Sequence, residues 1–313
     1  VEELGDYLRA RRSRLTPEDA GLHAYGERRR VAGLRREELA QLAGVSAGYY
    51  TRLEQGLSRN ASDSVLAALA RALRLDGDET AHLWTLARPR GSAARPRPKQ
   101  ERVRASVLTL LSALGDVPAM LVGYRTDVLA WNPMGHALAF GHLPYDAPAQ
   151  AGSRPNLARL AFCDPHTSEL YADWKATAQD LVAYLRLASG QHRDDPKLAS
   201  LIGDLSVASP EFARLWAKHT VRQCHGGVRR FRHPLVGSLT LNEEVMEVAR
   251  DKGQSLVTFS AEHGSPSEDG LRLLAALTAE AGRARSARRL TVVPGEEAPD
   301  DLGRVEGSAR RQA

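Results

Sequence analysis

The sequence predicts a multidomain chain: an all-α N-terminal unit of five helices that contains a helix-turn-helix, then an α+β unit whose antiparallel five-stranded sheet is covered by helices. Three observations carry this. Residues 34–56, LRREELAQLAGVSAGYYTRLEQG, read as two short helices around a glycine corner. A stretch at 89–99 alternates Pro89, Pro96 and Pro98 with arginine and small residues, which favours extended chain over helix. Beyond it the apolar period runs from strand to helix and back to strand. The expected boundaries are a helical unit at 1–88, a semi-rigid linker at 89–99, the α+β unit at 100–281 and a mobile tail at 282–313, where charge, Gly and Pro replace core material.

In the first unit, LGDYLRARRSRL places Leu4, Tyr7 and Leu8 on an inward face. A long polar connection, 16–33, follows. Residues 36–43 carry Leu39, Leu42 and Ala43 at helical spacing, and 46–55 carry Tyr49, Tyr50 and Leu53. Gly44 between them suits a left-handed helix end, and Ser46 suits an N-cap, so the pair forms a tight corner. SDSVLAALARALRL adds a helix capped by Ser62 with Val65, Leu66, Leu69 and Leu73 inward. DGDETAHLWTLA adds a fifth, with Asp78 and Glu79 at the positive end of its dipole.

Several positions of this corner match together, including the closing LEQG, and the stretch resembles the Xre (lambda-repressor-like) helix-turn-helix family. The resemblance implies binding to double-stranded DNA, with the second motif helix in the major groove. It also implies a phosphate contact at Arg36 and base reading just after the cap Ser46, by Ala47, Gly48 and Tyr49, with Arg52 one turn on and Gln55 at the helix end. Ala47 and Gly48 allow close backbone approach, and alanine can touch a thymine methyl. Arg52 is a candidate for bidentate contact with guanine, the alternative being a phosphate contact or a solvated side chain. Tyr49 or Tyr50 is expected to be partly core.

Charge follows the same division. Residues 1–104 hold 20 Lys/Arg against 14 Asp/Glu, and the remainder 23 against 24, so the net +5 resides at the helix-turn-helix end. Arg28, Arg29 and Arg30 cluster just before the motif, where they are expected to neutralise phosphates and make binding salt-dependent. Cys163 and Cys224 are too few for a disulfide framework, no apolar run approaches the roughly 18 residues of a membrane span, and no signal peptide is visible. These features fit a cytoplasmic protein.

In the second unit, ERVRASVLTLLSAL reads as a helix and residues 120–122 and 128–131 as strands joined by a GYRTD turn. Helical stretches follow at 167–189, 196–205 and 209–221, the last opened by the Ser209 cap and Pro210. Leu235, Leu239 and Leu241 then alternate with small or polar residues, residues 245–249 and 256–261 read as two more strands, and a helix through Leu271, Leu274 and Leu277 closes the unit. Strands, helices and then a meander is the order of a PAS-like sensor fold.

Particular residues sharpen this. Pro118, DVLAWN at 127–132, Asn156 with Arg159, DW at 173–174, AYLR at 183–186, SPEFARLWAKHTV at 209–221, HPLVG at 233–237 and GQSLVTFSAEHGS at 253–265 resemble the MmyB-like ligand-binding domain, which sits behind an Xre-type helix-turn-helix in bacterial regulators. The resemblance spans nearly everything from residue 1 to about 281. It implies a transcription regulator whose second domain senses a small, apolar or fatty-acyl-like molecule; no cofactor is expected beyond such a bound fatty acid or similar ligand. Met120, Trp131, Trp174, Phe212, Trp216 and Met246 are candidate apolar contacts, with plain core as the alternative for each. Asn132, Arg186 and His233 are the polar candidates. Asn132 has a turn cap as its alternative, Arg186 a pair with an acid such as Asp173, and His233 a backbone bond across the sheet.

Catalytic motifs are missing from the sequence. Cys224 and His225, with His219 and His233 nearby, fit no zinc spacing, and there is neither a dinucleotide fingerprint nor a phosphate loop, so an enzyme is not expected. A homodimer on a palindromic operator is, because two-fold proteins read two-fold sites. The alternatives are a second domain that only dimerises or binds protein and, more remotely, a haem or metal sensor.

Overall fold

The computed structural model describes residues 4–22, 33–58, 61–87, 101–150, 152–220 and 226–290. The N-terminal unit has five helices among the described residues: α1 (Leu4–Arg14), α2 (Arg36–Ala43), α3 (Ala47–Glu54), α4 (Asp63–Ala72) and α5 (Gly77–Ala87). Tyr7, Leu8, Leu39, Tyr50, Leu53, Leu69 and Leu83 meet in one core. At Gly5, α1 crosses α3 so closely that a Cβ would lie 2.1 Å from the Glu54 carbonyl oxygen. Only glycine tolerates that approach.

The α2–α3 corner forms as its residues dictate. Gly44 takes φ 66°, and the Val45 amide reaches back to the Ala40 carbonyl at 2.9 Å, closing α2 in a left-handed cap. The Ser46 hydroxyl accepts from the Tyr49 amide at 3.1 Å and starts α3. Of the two tyrosines, Tyr50 is fully buried and Tyr49 half-buried.

The second unit contains α6 (Ala105–Ala113), β1 (Ala119–Gly123), β2 (Val128–Trp131), α7 (Pro133–Ala139), α8 (Leu157–Cys163), α9 (Pro165–Leu170), α10 (Trp174–Gln191), α11 (Pro196–Ala208), α12 (Pro210–Trp216), β3 (Gly226–His233), β4 (Gly237–Glu247), β5 (Gln254–Ser260) and α13 (Pro266–Leu290). Four of these helices start the same way. Asn132, Asp164, Asp195 and Ser209 each cap an amide two or three residues on, and a proline fills the first helical position. The strands form one antiparallel sheet in the order β2-β1-β5-β4-β3. One face of β1 and β5, through Leu121 and Leu256, packs on Val107 and Leu111 of α6. The other carries Met120, Val122, Val257 and Phe259 towards α7 and α13. The β1–β2 pairing skips Leu129, a bulge that sets both Leu129 and Ala130 on the α6 side and returns Trp131 to the opposite face.

Five antiparallel strands are present, but the meander is placed differently from expectation. β3 comprises residues 226–233, ahead of the Leu235–Leu241 alternation in which the first strand of the meander is expected. β4 runs continuously across the expected break between 241 and 245, and Leu235 lies exposed in the turn between them. The period of β3 is hidden because its inward series Arg229, Phe231, His233 opens with a charge, and arginines fill its outward series too. The stretch 167–189 is two helices, broken at Tyr171–Asp173 where the Asp173 carboxylate caps α10. α7 and α8 were not anticipated. The final helix continues to Leu290, into the stretch read as tail. Arg28, Arg29 and Arg30, the 89–99 linker, Cys224 with His225, and the tail beyond Leu290 lie outside the described residues.

Candidate functional site

On α3 the side chains divide by helical phase. Leu53 and Tyr50 point into the core, whereas Gly48, Arg52 and Gln55, spaced four and three apart, share an exposed face, flanked by exposed Ser46 and half-buried Ala47 and Tyr49. Arg36 behaves otherwise. Its guanidinium holds the buried Glu54 carboxylate at 2.9 Å, which also receives Arg12 at 2.9 and 3.0 Å. Burial opposes ionisation of Glu54, but the bonds from Arg12 and Arg36 prevail and keep its carboxyl below the usual range. Arg36 is thus an ion-pair partner at the start of α2, with part of its side chain still in solvent.

The second site is a cavity of about 90 Å³ between the sheet and its helical cover. One water requires roughly 10–15 Å³ on a comparable measure, so a larger guest fits. Met120 and Val122 of β1, Val245 of β4 and Val257 of β5 form its floor. Leu157, Leu160 and Ala161 of α8, Thr177, Leu181 and Tyr184 of α10, and Phe140 after α7 form its walls and roof. At one end three charged side chains meet. Arg229 Nε donates to Glu243 at 2.7 Å and its Nη1 donates to Asp180 of α10 at 2.8 Å. Burial opposes the Arg229 charge, but the two carboxylates hold it well above the ordinary arginine range. Burial pushes the Glu243 carboxyl up, an effect that Arg229 only partly offsets. Tyr171, also on the wall, is pushed up by burial.

Of the nine expected ligand contacts, the structure brings only Met120 to this cavity. Strand parity removes Met246: its neighbour Val245 faces the cavity, so Met246 faces outwards and is 46% exposed. Trp131 stacks on Phe140 and donates to the Tyr145 carbonyl at 2.9 Å. Trp174, Phe212 and Trp216 belong to a separate core among α8, α10, α11 and α12, with the Trp174 indole bonded to the Ala161 carbonyl at 2.6 Å. Asn132 is the cap of α7, accepting from Gly135 at 2.8 Å. His233 accepts from the Leu235 amide at 3.2 Å and meets the Ala137 carbonyl at 3.0 Å. Their polar groups serve the fold. The cavity residues that sequence reasoning passed over, Asp180, Arg229 and Glu243 above all, lie on the inward parity of β3 and β4 and one helical turn before Tyr184. That parity was the available signal.

Arg186 is displaced the furthest. It is fully buried, its guanidinium 3.9 Å above the Trp216 ring, bonded to the Trp216 carbonyl and 3.1 Å from His219 Nδ1. This places it on the side of α10 that meets the N-terminal unit. Arg11 of α1 donates to the His219 carbonyl at 3.0 Å, Arg14 to Thr220 Oγ1 at 3.1 Å, and Arg193, in the turn after α10, to the Thr85 carbonyl of α5. Leu187 packs on the N-terminal core, and Gly190 lies directly against the His82 ring.

A helix-turn-helix whose second helix leaves one face exposed, seated on the helix that walls an apolar cavity, is the build of a regulator that couples DNA binding to a small molecule. Residues 103–274, more than half of the chain, match the MmyB-like transcription regulator ligand binding domain, and residues 3–83 match a helix-turn-helix domain. The chain belongs to the MmyB-like transcription regulator family. Among curated proteins no relative matches it. None of its described helices is long and apolar enough to cross a membrane, and no group of three or more His, Cys, Asp or Glu suited to a metal occurs among the described residues.

Proposed function

We propose that this regulator binds a specific operator through α3 and that a small, largely apolar molecule in the sheet–helix cavity sets its DNA affinity. The carrying observation is that one helix serves both sites. α10 gives Thr177, Asp180, Leu181 and Tyr184 to the cavity and Leu187 and Gly190 to the N-terminal unit, and Arg193, just past its C-terminal end, donates to the Thr85 carbonyl. A ligand alters DNA affinity only to the extent that it binds the DNA-competent and incompetent arrangements differently. A rotation or shift of α10 on filling the cavity supplies such a difference at the interface, in place of the transmission by a linker that chain order alone suggests. Exposed Gly48, Arg52 and Gln55 read bases, Ser46, Ala47 and Tyr49 border them, and Arg36 with the Arg28–Arg30 cluster meets phosphates. A homodimer on a palindromic site follows from the symmetry of such recognition.

The test combines two measurements on the full chain. Denaturation and solvent extraction followed by mass spectrometry identifies a co-purifying amphiphile, and operator binding is then titrated with and without that compound. A bound amphiphile that changes operator affinity supports the reading. Identical affinities with the cavity filled and empty would leave the second domain as a dimerisation or protein-interaction module.

A further inference from the structure

α6 covers one face of the sheet with Val107 and Leu111 and turns its other side outwards. Residues 105–115 hold no charged side chain, and Ala105, Ser106, Thr109, Ser112 and Ala113 are exposed. Leu108 and Leu110, at about 100° of turn per residue, fall on either flank of Thr109 and are 46% and 51% exposed. The apolar surface continues beside the helix. Ala130, Leu121, Leu256 and Met246 form one row across β2, β1, β5 and β4, in which the first three are buried and Met246 is 46% exposed. On the opposite side Leu108 borders an open groove with Leu129 and Pro148.

The charges at the two ends of α6 identify what covers this face. Anions favour the N-terminus of a helix and cations its C-terminus. Here the order is reversed: Arg104 is the N-cap, with exposed Arg102 before it, and exposed Asp116 follows the C-terminus. Glu101 does not offset this, since its carboxylate is turned onto Arg125. The arrangement opposes the dipole of its own helix and suits that of an antiparallel copy, where Arg104 meets the C-terminal end and Asp116 of the other chain. Arg104 uses Nε on Asp251 and Nη1 on Ser106, and a guanidinium has donors left for a further carboxylate. A two-fold interface must complement itself, which an uncharged centre between opposite charges does. We propose that α6 forms the homodimer interface of this regulator, packed antiparallel on α6 of a second copy with Thr109 at the two-fold axis. Leu108 then meets Leu108 of the other copy, Leu110 meets Leu110, and Ala105 meets Ala113. This rests on the homodimer inferred above and identifies the surface that forms it.

Sedimentation of the full chain across the micromolar range tests the interface, with melting temperature as the check that each variant folds. Thr109 is exposed and its hydroxyl donates within its own helix, to the Ala105 carbonyl at 3.0 Å, so T109K and T109E leave the fold intact. The native chain is expected to be a dimer, each variant alone to dimerise about tenfold or more weakly because like charges meet at the axis, and an equimolar mixture of the two variants to recover the dimer. D116K is expected to weaken the dimer as well, since it sets a lysine against Arg104. Dimers of T109K and T109E as tight as those of the native chain would overturn the proposal and leave the homodimer to another surface. A mixture that stays monomeric, or an unaffected dimer in D116K, would overturn the antiparallel contact. A native chain that is monomeric throughout would refute the homodimer reading and this proposal together, while the cavity and operator readings do not enter the measurement.

Discussion

Tyr184 and Arg186 lie two residues apart on α10 and serve different sites: Tyr184 lines the cavity, whereas Arg186 is stacked on Trp216 and contacts His219, whose carbonyl accepts from Arg11 of the DNA-binding unit. Two residues turn a helix by about 200°, so one rigid element presents a wall to each site. His219 itself has φ 52°, a left-handed conformation that turns the chain out of α12 beside Arg11.

If α10 carries the coupling, wedging its contact with α5 should disconnect the sites. A Cβ at Gly190 would lie 2.5 Å from Cε1 of the buried His82 ring, a side chain rather than backbone, so Gly190→Leu is expected to push the two helices apart. The variant should still bind ligand and operator separately, while the ligand-induced change in operator affinity falls towards unity. Paired titrations measure this, and an unchanged ratio would exclude α10 as the route.

Filling the cavity should separate the functions differently. Val122→Trp places a large ring where the floor meets the walls, and overpacking of this kind typically costs about 1–3 kcal/mol. A lowered melting temperature, retained operator binding and loss of all ligand response are expected. Retained response would show that the ligand binds elsewhere.

Arg52 is exposed on α3, in phase with Gly48 and Gln55. Arg52→Ala should weaken operator binding by about 1–3 kcal/mol and binding to random DNA much less. Equal losses on both DNAs, with a shallower salt dependence, would make it a phosphate contact.

Glu54 should be the electrostatic keystone of the DNA-binding unit. Its side chain is fully buried and receives Arg12 and Arg36. Glu54→Ala strands two arginines and should cost about 3–5 kcal/mol in denaturant unfolding of the full chain. Because the folded carboxyl titrates below its ordinary range, its contribution is complete above the unfolded value and is lost as pH falls through the folded one. The gap in stability between the native chain and Glu54→Gln should therefore narrow on acidification below the usual carboxylate range. A gap independent of pH would assign Glu54 a packing role only.

The helix-turn-helix was legible because its information is local. Gly44, Ser46 and the spacing of Leu39, Tyr50 and Leu53 specify a corner within about twenty residues, and each took the conformation its chemistry favours. The sheet was legible in strand number and direction but not in the extent of β3 and β4, where an inward Arg229 and Glu243 interrupt the apolar alternation. The large aromatics expected at the ligand site lie away from the cavity. Trp174, Phe212 and Trp216 fill the core of a helical cluster, and the cavity is lined instead by medium aliphatics that leave space.

By itself, then, the sequence determined the helix-turn-helix, the two-unit organisation and the family, since periodicity, caps and motif spacing act over a few turns of chain. Only the tertiary structure decided where the cavity lies, which charges close it, and that the DNA-binding unit rests on α10. Those depend on residues as distant as Asp180 and Glu243, or Arg11 and His219, whose meeting is fixed by packing and by the desolvation of charge when remote segments come together.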